Sequence, residues 1–115
     1  MNIRGSWHTE NYIIKDGPTH RVKGLLFFSE KDWSVLFFMI DEEMKPQFGS
    51  GEGGAYSLDG ERLVFAHQYH LEAGHEKPLR MEVRDEKDAF SEPCRVELEG
   101  NEMMIHFPSG NRMWC

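Results

Sequence analysis

Apolar and polar residues alternate in short runs along this chain, and turn residues break the runs at close intervals. That period of two marks strands with one buried face; recurrences at three and four, which would mark a helix, are nearly absent. The first run, Ser6 to Ile13, is closed by Asp16-Gly17-Pro18, and the second, His20 to Phe28, by Ser29-Glu30-Lys31-Asp32. The third, Trp33 to Ile40, is the most apolar. A long loop is expected from Asp41 to Gly53, because the stretch from Gly49 to Gly54 has little conformational preference of its own. Gly54 to Leu58 and Glu61 to His70 flank Asp59-Gly60, a two-residue hairpin turn whose positions accept positive φ. Leu71 to Pro78 reads as a polar loop. Leu79 to Glu86 and Cys94 to Glu99 then alternate as half-buried strands. Gly100-Asn101 turns the chain into Glu102 to Phe107, and Pro108-Ser109-Gly110 turns it into Asn111 to Cys115.

About eight or nine short strands of this kind make either a sandwich or an up-and-down barrel. Hairpin connections throughout favour the barrel, which also removes exposed strand edges. No linker or low-complexity segment interrupts the pattern, so residues 1–115 are expected to form a single all-β domain, an antiparallel up-and-down barrel.

Charge and cysteine content narrow the function classes. The net charge is −7 and no basic run occurs, which argues against nucleic-acid partners and against docking on anionic membranes. No apolar run approaches the length of a membrane span, and Met1 to Gly5 lacks the apolar centre of a secretion signal. The two cysteines, Cys94 and Cys115, are too few for a disulfide framework. A cytoplasmic protein with free thiols is the expectation.

Gly5-Ser6-Trp7 opens the first strand and Arg112 lies in the last, a pairing that resembles the calycin arrangement of lipocalin-like barrels. The segments Gly24-Leu25-Leu26-Phe27 and Ala55-Tyr56-Ser57-Leu58-Asp59-Gly60 are similar to bacterial lipocalin-like domains. The resemblance implies a barrel around a small-molecule lumen, with the Arg112 guanidinium stacked on the Trp7 indole at the closed end.

Strand alternation allocates side chains to the lumen. Trp7 inward brings Thr9, Asn11 and Ile13 with it; Val22, Leu26 and Phe28 follow on the second strand, and Trp33, Val35, Phe37 and Met39 on the third. Leu63, Phe65, His67 and Tyr69 share one face of the fifth, and Met81, Val83, Val96, Leu98, Met103, Ile105 and Phe107 complete the wall. A ligand is therefore expected to touch Asn11, Leu26, Phe28, Trp33, Phe37, Met39, Phe65, His67, Tyr69 and Met81. Most of these are apolar, and Thr9, Asn11, His67 and Tyr69 supply a polar end that orients the molecule.

The first functional reading is accordingly a carrier of an apolar small molecule. The second is a cofactor-free isomerase, cyclase or lyase, with His67 as base and Tyr69 as acid. The third is an interaction protein with a solid core. No metal site or cofactor is expected, because His67 and His70 have opposite parity and should point to opposite faces. Cys94 lacks a helix N-terminus to activate it, and Ser109 sits in a turn without the strand–Ser–helix context of an exposed nucleophile. The glycine stretch has no phosphate-loop ending and reads equally as a mobile lid. Finally, Leu36, Phe38 and Ile40 lay an apolar stripe on the outside of the third strand, to be covered either by the glycine-rich loop or by another subunit; a homodimer through the outer face of Trp33 to Ile40 is the preferred expectation.

Overall fold

The computed structural model describes residues 1–115. Ten strands run β1 Gly5–Ile13, β2 Thr19–Phe28, β3 Asp32–Ile40, β4 Pro46–Asp59, β5 Arg62–His67, β6 Tyr69–Gly74, β7 Lys77–Val83, β8 Phe90–Glu99, β9 Glu102–His106 and β10 Arg112–Trp114. One 3₁₀ turn, Glu86–Asp88, lies between β7 and β8. All pairings are antiparallel, and the order β3-β2-β1-β10-β9-β8-β5-β4 closes on itself where β4 pairs back onto β3. Eight strands thus form a closed barrel, the all-β architecture that the alternating pattern predicts. Strands β6 and β7 continue the sheet beyond β4.

Two segments differ from the sequence expectation. Asp41 to Gly53 is not a loop and holds no lid: most of it belongs to β4, the longest strand, paired along one edge with β3 and along the other with β6 and β5. Glycine is a poor strand former alone, but hydrogen bonding on both edges overrides that preference. At Gly49 the missing side chain is what the site needs, since a Cβ there would stand 2.9 Å from the Phe38 ring. Leu71 to Pro78 likewise forms most of a second hairpin, β6 and β7, rather than a loop. Its outward residues Leu71 and Leu79 stay exposed, so local polarity hid the alternation.

The core fills the end of the barrel nearest Ile3. Ile3, Leu26, Leu63, Val96, Met103 and Ile105 are essentially inaccessible and belong to one cluster with Phe28, Phe65, Cys94, Met113 and Cys115. Full burial of one such aliphatic side chain contributes about 1.5–3 kcal/mol. Trp7 packs against this cluster and donates its indole N–H to the Ile3 carbonyl at 2.8 Å. Arg112 is exposed and stands opposite Ile13, six positions along β1 from Trp7, so the stacking expected at the closed end is not formed. The one cation lying over a ring is Lys77, 5.2 Å from the centre of Phe48. Cys94 and Cys115 are free thiols, as expected, and both are buried.

Candidate functional site

Strands β5 and β6 are one strand interrupted at Gln68. Between Phe65 and Tyr69 the chain carries one more residue than β4 does between Gly53 and Tyr56, so a bulge sits at this point. Three groups hold it. The Gln68 backbone N–H donates to the Gly53 carbonyl at 3.0 Å, while its side-chain oxygen accepts the Ala55 N–H at 3.0 Å and replaces the interrupted ladder. The Trp33 indole donates to the Ala66 carbonyl at 3.1 Å. Gly54 permits the close approach, because a Cβ there would lie 2.0 Å from the Ala66 oxygen.

The extra residue inverts side-chain parity. Before the bulge Phe65 and His67 face inward; after it His70 and Glu72 do, and Tyr69 and Leu71 turn outside. His67 and His70 therefore share a face, contrary to the expectation from strict alternation. Tyr69 is removed from the lumen and is 53% exposed. A second irregularity lies between β1 and β2: from Thr9 to Asn11 the register slips because β2 carries one more residue, and Tyr12 faces inward in place of Asn11.

A cavity of about 270 Å³ occupies the barrel above the core. Its apolar wall includes Leu26, Trp33, Val35, Phe37, Met39 and Phe65, with Tyr12 and Phe107 closing the far side. Its polar wall is Ser50 and Glu52 from β4, His67 from β5, His70 and Glu72 from β6, and Glu92 from β8. Of the ten residues expected to touch a ligand, Leu26, Trp33, Phe37, Met39, Phe65 and His67 line this cavity. Asn11 does not, for the reason just given. Phe28 lies below in the core, edge-on to Tyr56 at 5.0 Å between ring centres. Met81 is 71% exposed on the outer face of β7, since its register partner Leu71 also points out. Thr9 is buried, has no hydrogen-bond partner in the chain, and stands outside the cavity. The cavity residues that alternation missed include Tyr12, Ser50, Glu52, His70, Glu72 and Glu92, and the bulges account for Tyr12, His70 and Glu72.

One carboxylate organises the polar wall. Glu52 Oε1 lies 2.8 Å from His70 Nδ1 and 3.4 Å from His67 Nδ1. His67 Nε2 reaches Glu92 Oε1 at 3.0 Å, so this imidazole is held between two carboxylates. Burial lowers the His67 pKa, but hydrogen bonding to Glu52 and Glu92 and their charges outweigh it and raise the value to about 9. His67 is thus a cation at neutral pH. For Glu52, burial pushes the pKa up, and the bonds and charges of His67 and His70 draw it net below the usual carboxylate range. His70 Nε2 lies 3.3 Å from Glu72 Oε1 but outside hydrogen-bond geometry, which leaves a buried ring nitrogen without a partner in the chain. Glu72 is itself met by Arg80 at 3.2 Å. No group of three or more His, Cys, Asp or Glu side chains has the arrangement of a metal site, because these groups face one another rather than a common point.

Cavities also lie outside the barrel wall. Troughs of about 970 and 510 Å³ run over the outer face, between Leu36 of β3 and Leu71 of β6. They lie on the outer surface, whereas the lumen cavity lies inside the barrel and is less open to solvent. No helix is long and apolar enough to cross a membrane. No family model, no curated protein and no solved structure matches this chain, so its function rests on the geometry of the barrel and its polar wall.

Proposed function

We propose that this chain is a lipocalin-like binding protein for a small molecule with an apolar body and a polar head. The observation that carries the reading is Nε2 of His70, buried without a hydrogen-bond partner in the chain, on the polar wall of a cavity whose other side is apolar. A buried polar nitrogen left unpaired costs about 1–3 kcal/mol, and a ligand head that bonds to it recovers that cost. The apolar body packs on Trp33, Phe37 and Phe65, and the size of the space, about 270 Å³, restricts the ligand to a compact molecule. Native mass spectrometry of freshly purified protein tests this. A species that departs on denaturation and has a mass compatible with the cavity is expected; an empty protein that also fails to bind an environment-sensitive apolar dye overturns the reading.

The position of His67 favours a second reading, cofactor-free proton transfer. Its imidazolium stands at the cavity wall between two carboxylates, an arrangement that suits a general acid. Tyr69, outside the barrel, has no part in it. In that case His67→Ala abolishes turnover and leaves affinity near normal, whereas a carrier shows no turnover to lose. The outer face of β3 is a proposal of its own: Leu36, 54% exposed, and Phe38, 38% exposed, support a contact with a second copy of the chain.

A further inference from the structure

β7 is the only strand with a single neighbour: it ends the sheet order and pairs with β6 alone. Its backbone polarity can be assigned. The Arg84 N–H donates to the Gln68 carbonyl at 2.7 Å, and Tyr69 stands opposite Val83. In an antiparallel ladder this alternation turns the N–H and C=O groups of Arg80 and Glu82 toward β6 and those of Leu79, Met81 and Val83 toward the free edge. The side chains of these three are among the most exposed apolar groups in the chain, at 60%, 71% and 80%. An unpaired edge carrying exposed apolar side chains is a template for another strand.

We propose that a second copy of this chain occupies that edge, the two β7 strands pairing antiparallel about a two-fold axis through Met81. In this register Met81 meets the partner's Met81 and Leu79 meets the partner's Val83 on the outer side. On the inner side Arg80 meets the partner's Glu82, with cross-strand Cβ separations of about 4.5–5.5 Å. About six backbone hydrogen bonds form, all from groups that β6 leaves free. Charge selects the register: centring one residue earlier sets Arg80 against itself, and one residue later sets Glu82 against itself. Pro78, which lacks an N–H, falls outside the apolar segment whose donors the pairing uses.

The pairing also reaches the site. Arg80, Glu82 and Arg84 rim a depression of about 340 Å³ that leads to His67 and His70, so the partner's Glu82 is placed at the mouth of the polar wall. The proposal does not depend on the lumen reading, and it is separate from a contact over the outer face of β3.

Sedimentation velocity at micromolar concentration tests it on five proteins. Wild type is expected to run as a dimer. Met81→Pro removes a donor that points only at the free edge and leaves the hairpin with β6 intact; it is expected to run as a monomer with an unchanged circular dichroism spectrum. Arg80→Glu is expected to weaken the dimer at least tenfold, and Arg80→Glu combined with Glu82→Arg to restore it, which keeps the test valid if the proline variant misfolds. A monomeric wild type overturns the proposal. So does a dimer that survives Met81→Pro and the single charge reversal but dissociates on Phe38→Lys, which assigns the contact to the β3 face instead.

Discussion

His70 on β6 stands directly across from Glu52 on β4, its Nδ1 2.8 Å from Glu52 Oε1. The register that makes this pair exists only because one residue is inserted at Gln68; without it, Tyr69 would take the inward position. The same step brings His67 and His70 to one carboxylate, and the behaviour of the polar wall with pH follows from that.

The folded pKa of His67, about 9, lies above its ordinary value of 6.5, so its ion pairs contribute stability fully below pH 6.5 and lose it as pH rises through 9. At about 1.36 kcal/mol per pH unit the interval sets an upper limit of about 3 kcal/mol. Urea unfolding is expected to show a fall of that order between pH 6.5 and 10, and His67→Gln to remove most of it. A variant whose stability falls in parallel with wild type over this range would show that some other group titrates there. Glu52 acts with the opposite sign: its lowered pKa gives stability that disappears as the medium becomes acid enough to protonate it.

Phe37 lines the cavity and Met81 is on the outside, so the two separate lumen from surface in one assay. Phe37→Glu places a charge in the apolar wall and is expected to weaken dye or ligand binding by at least about tenfold, equivalent to about 1.4 kcal/mol. Met81→Glu is expected to leave binding in the lumen within about twofold of wild type, well under 1 kcal/mol. The reverse order of effects, read by fluorescence titration, would move the binding site to the outer trough.

Gly54→Ala forces a Cβ to within 2.0 Å of the Ala66 carbonyl oxygen, which cannot withdraw without releasing the Trp33 indole. The expected loss of stability is about 2–4 kcal/mol, in the range of a local backbone conflict in a packed region. Amide exchange should localise the damage to residues 52–55 and 66–70. Uniform loss of protection across the barrel, with these residues no worse than the rest, would contradict the role given to the bulge.

Burial pushes both thiols up, Cys94 and Cys115 each to about 12. Neither forms appreciable thiolate near neutrality, and the thiolate is the reactive species. An aromatic disulfide reagent at pH 8 is expected to titrate no thiol rapidly in the folded protein and both in urea. Prompt reaction of either in the native state would show that its end of the barrel opens.

The barrel itself was legible because alternation survives in β1, β2, β3, β8 and β9, whose buried faces are set by residues such as Leu26, Val35, Val96 and Ile105. Strand β4 was not, since three of its outward positions are glycine and its order comes from two partners rather than from its own side chains. The site was half legible for a related reason. Leu26, Trp33, Phe37, Met39, Phe65 and His67 follow the period of two and were placed by it. Tyr12 and His70 lie just past bulges, and a one-residue insertion carries no local hydrophobic signature: the evidence for it is Gln68 bonding to Gly53 and Ala55, residues distant in sequence.

The seam of the barrel joins Asn11, Tyr12 and Ile13 of β1 to Trp114, Met113 and Arg112 of β10. Segments about a hundred residues apart must therefore meet before the cylinder is complete, and a contact so distant in sequence is slow to form. On a ribosome β1 waits with one flank unsatisfied while about a hundred further residues are made, and the seam stays open until residue 114 has left the exit tunnel. Any ligand that needs an enclosed lumen can be held only once this seam has formed, so filling follows closure of the seam and does not precede it.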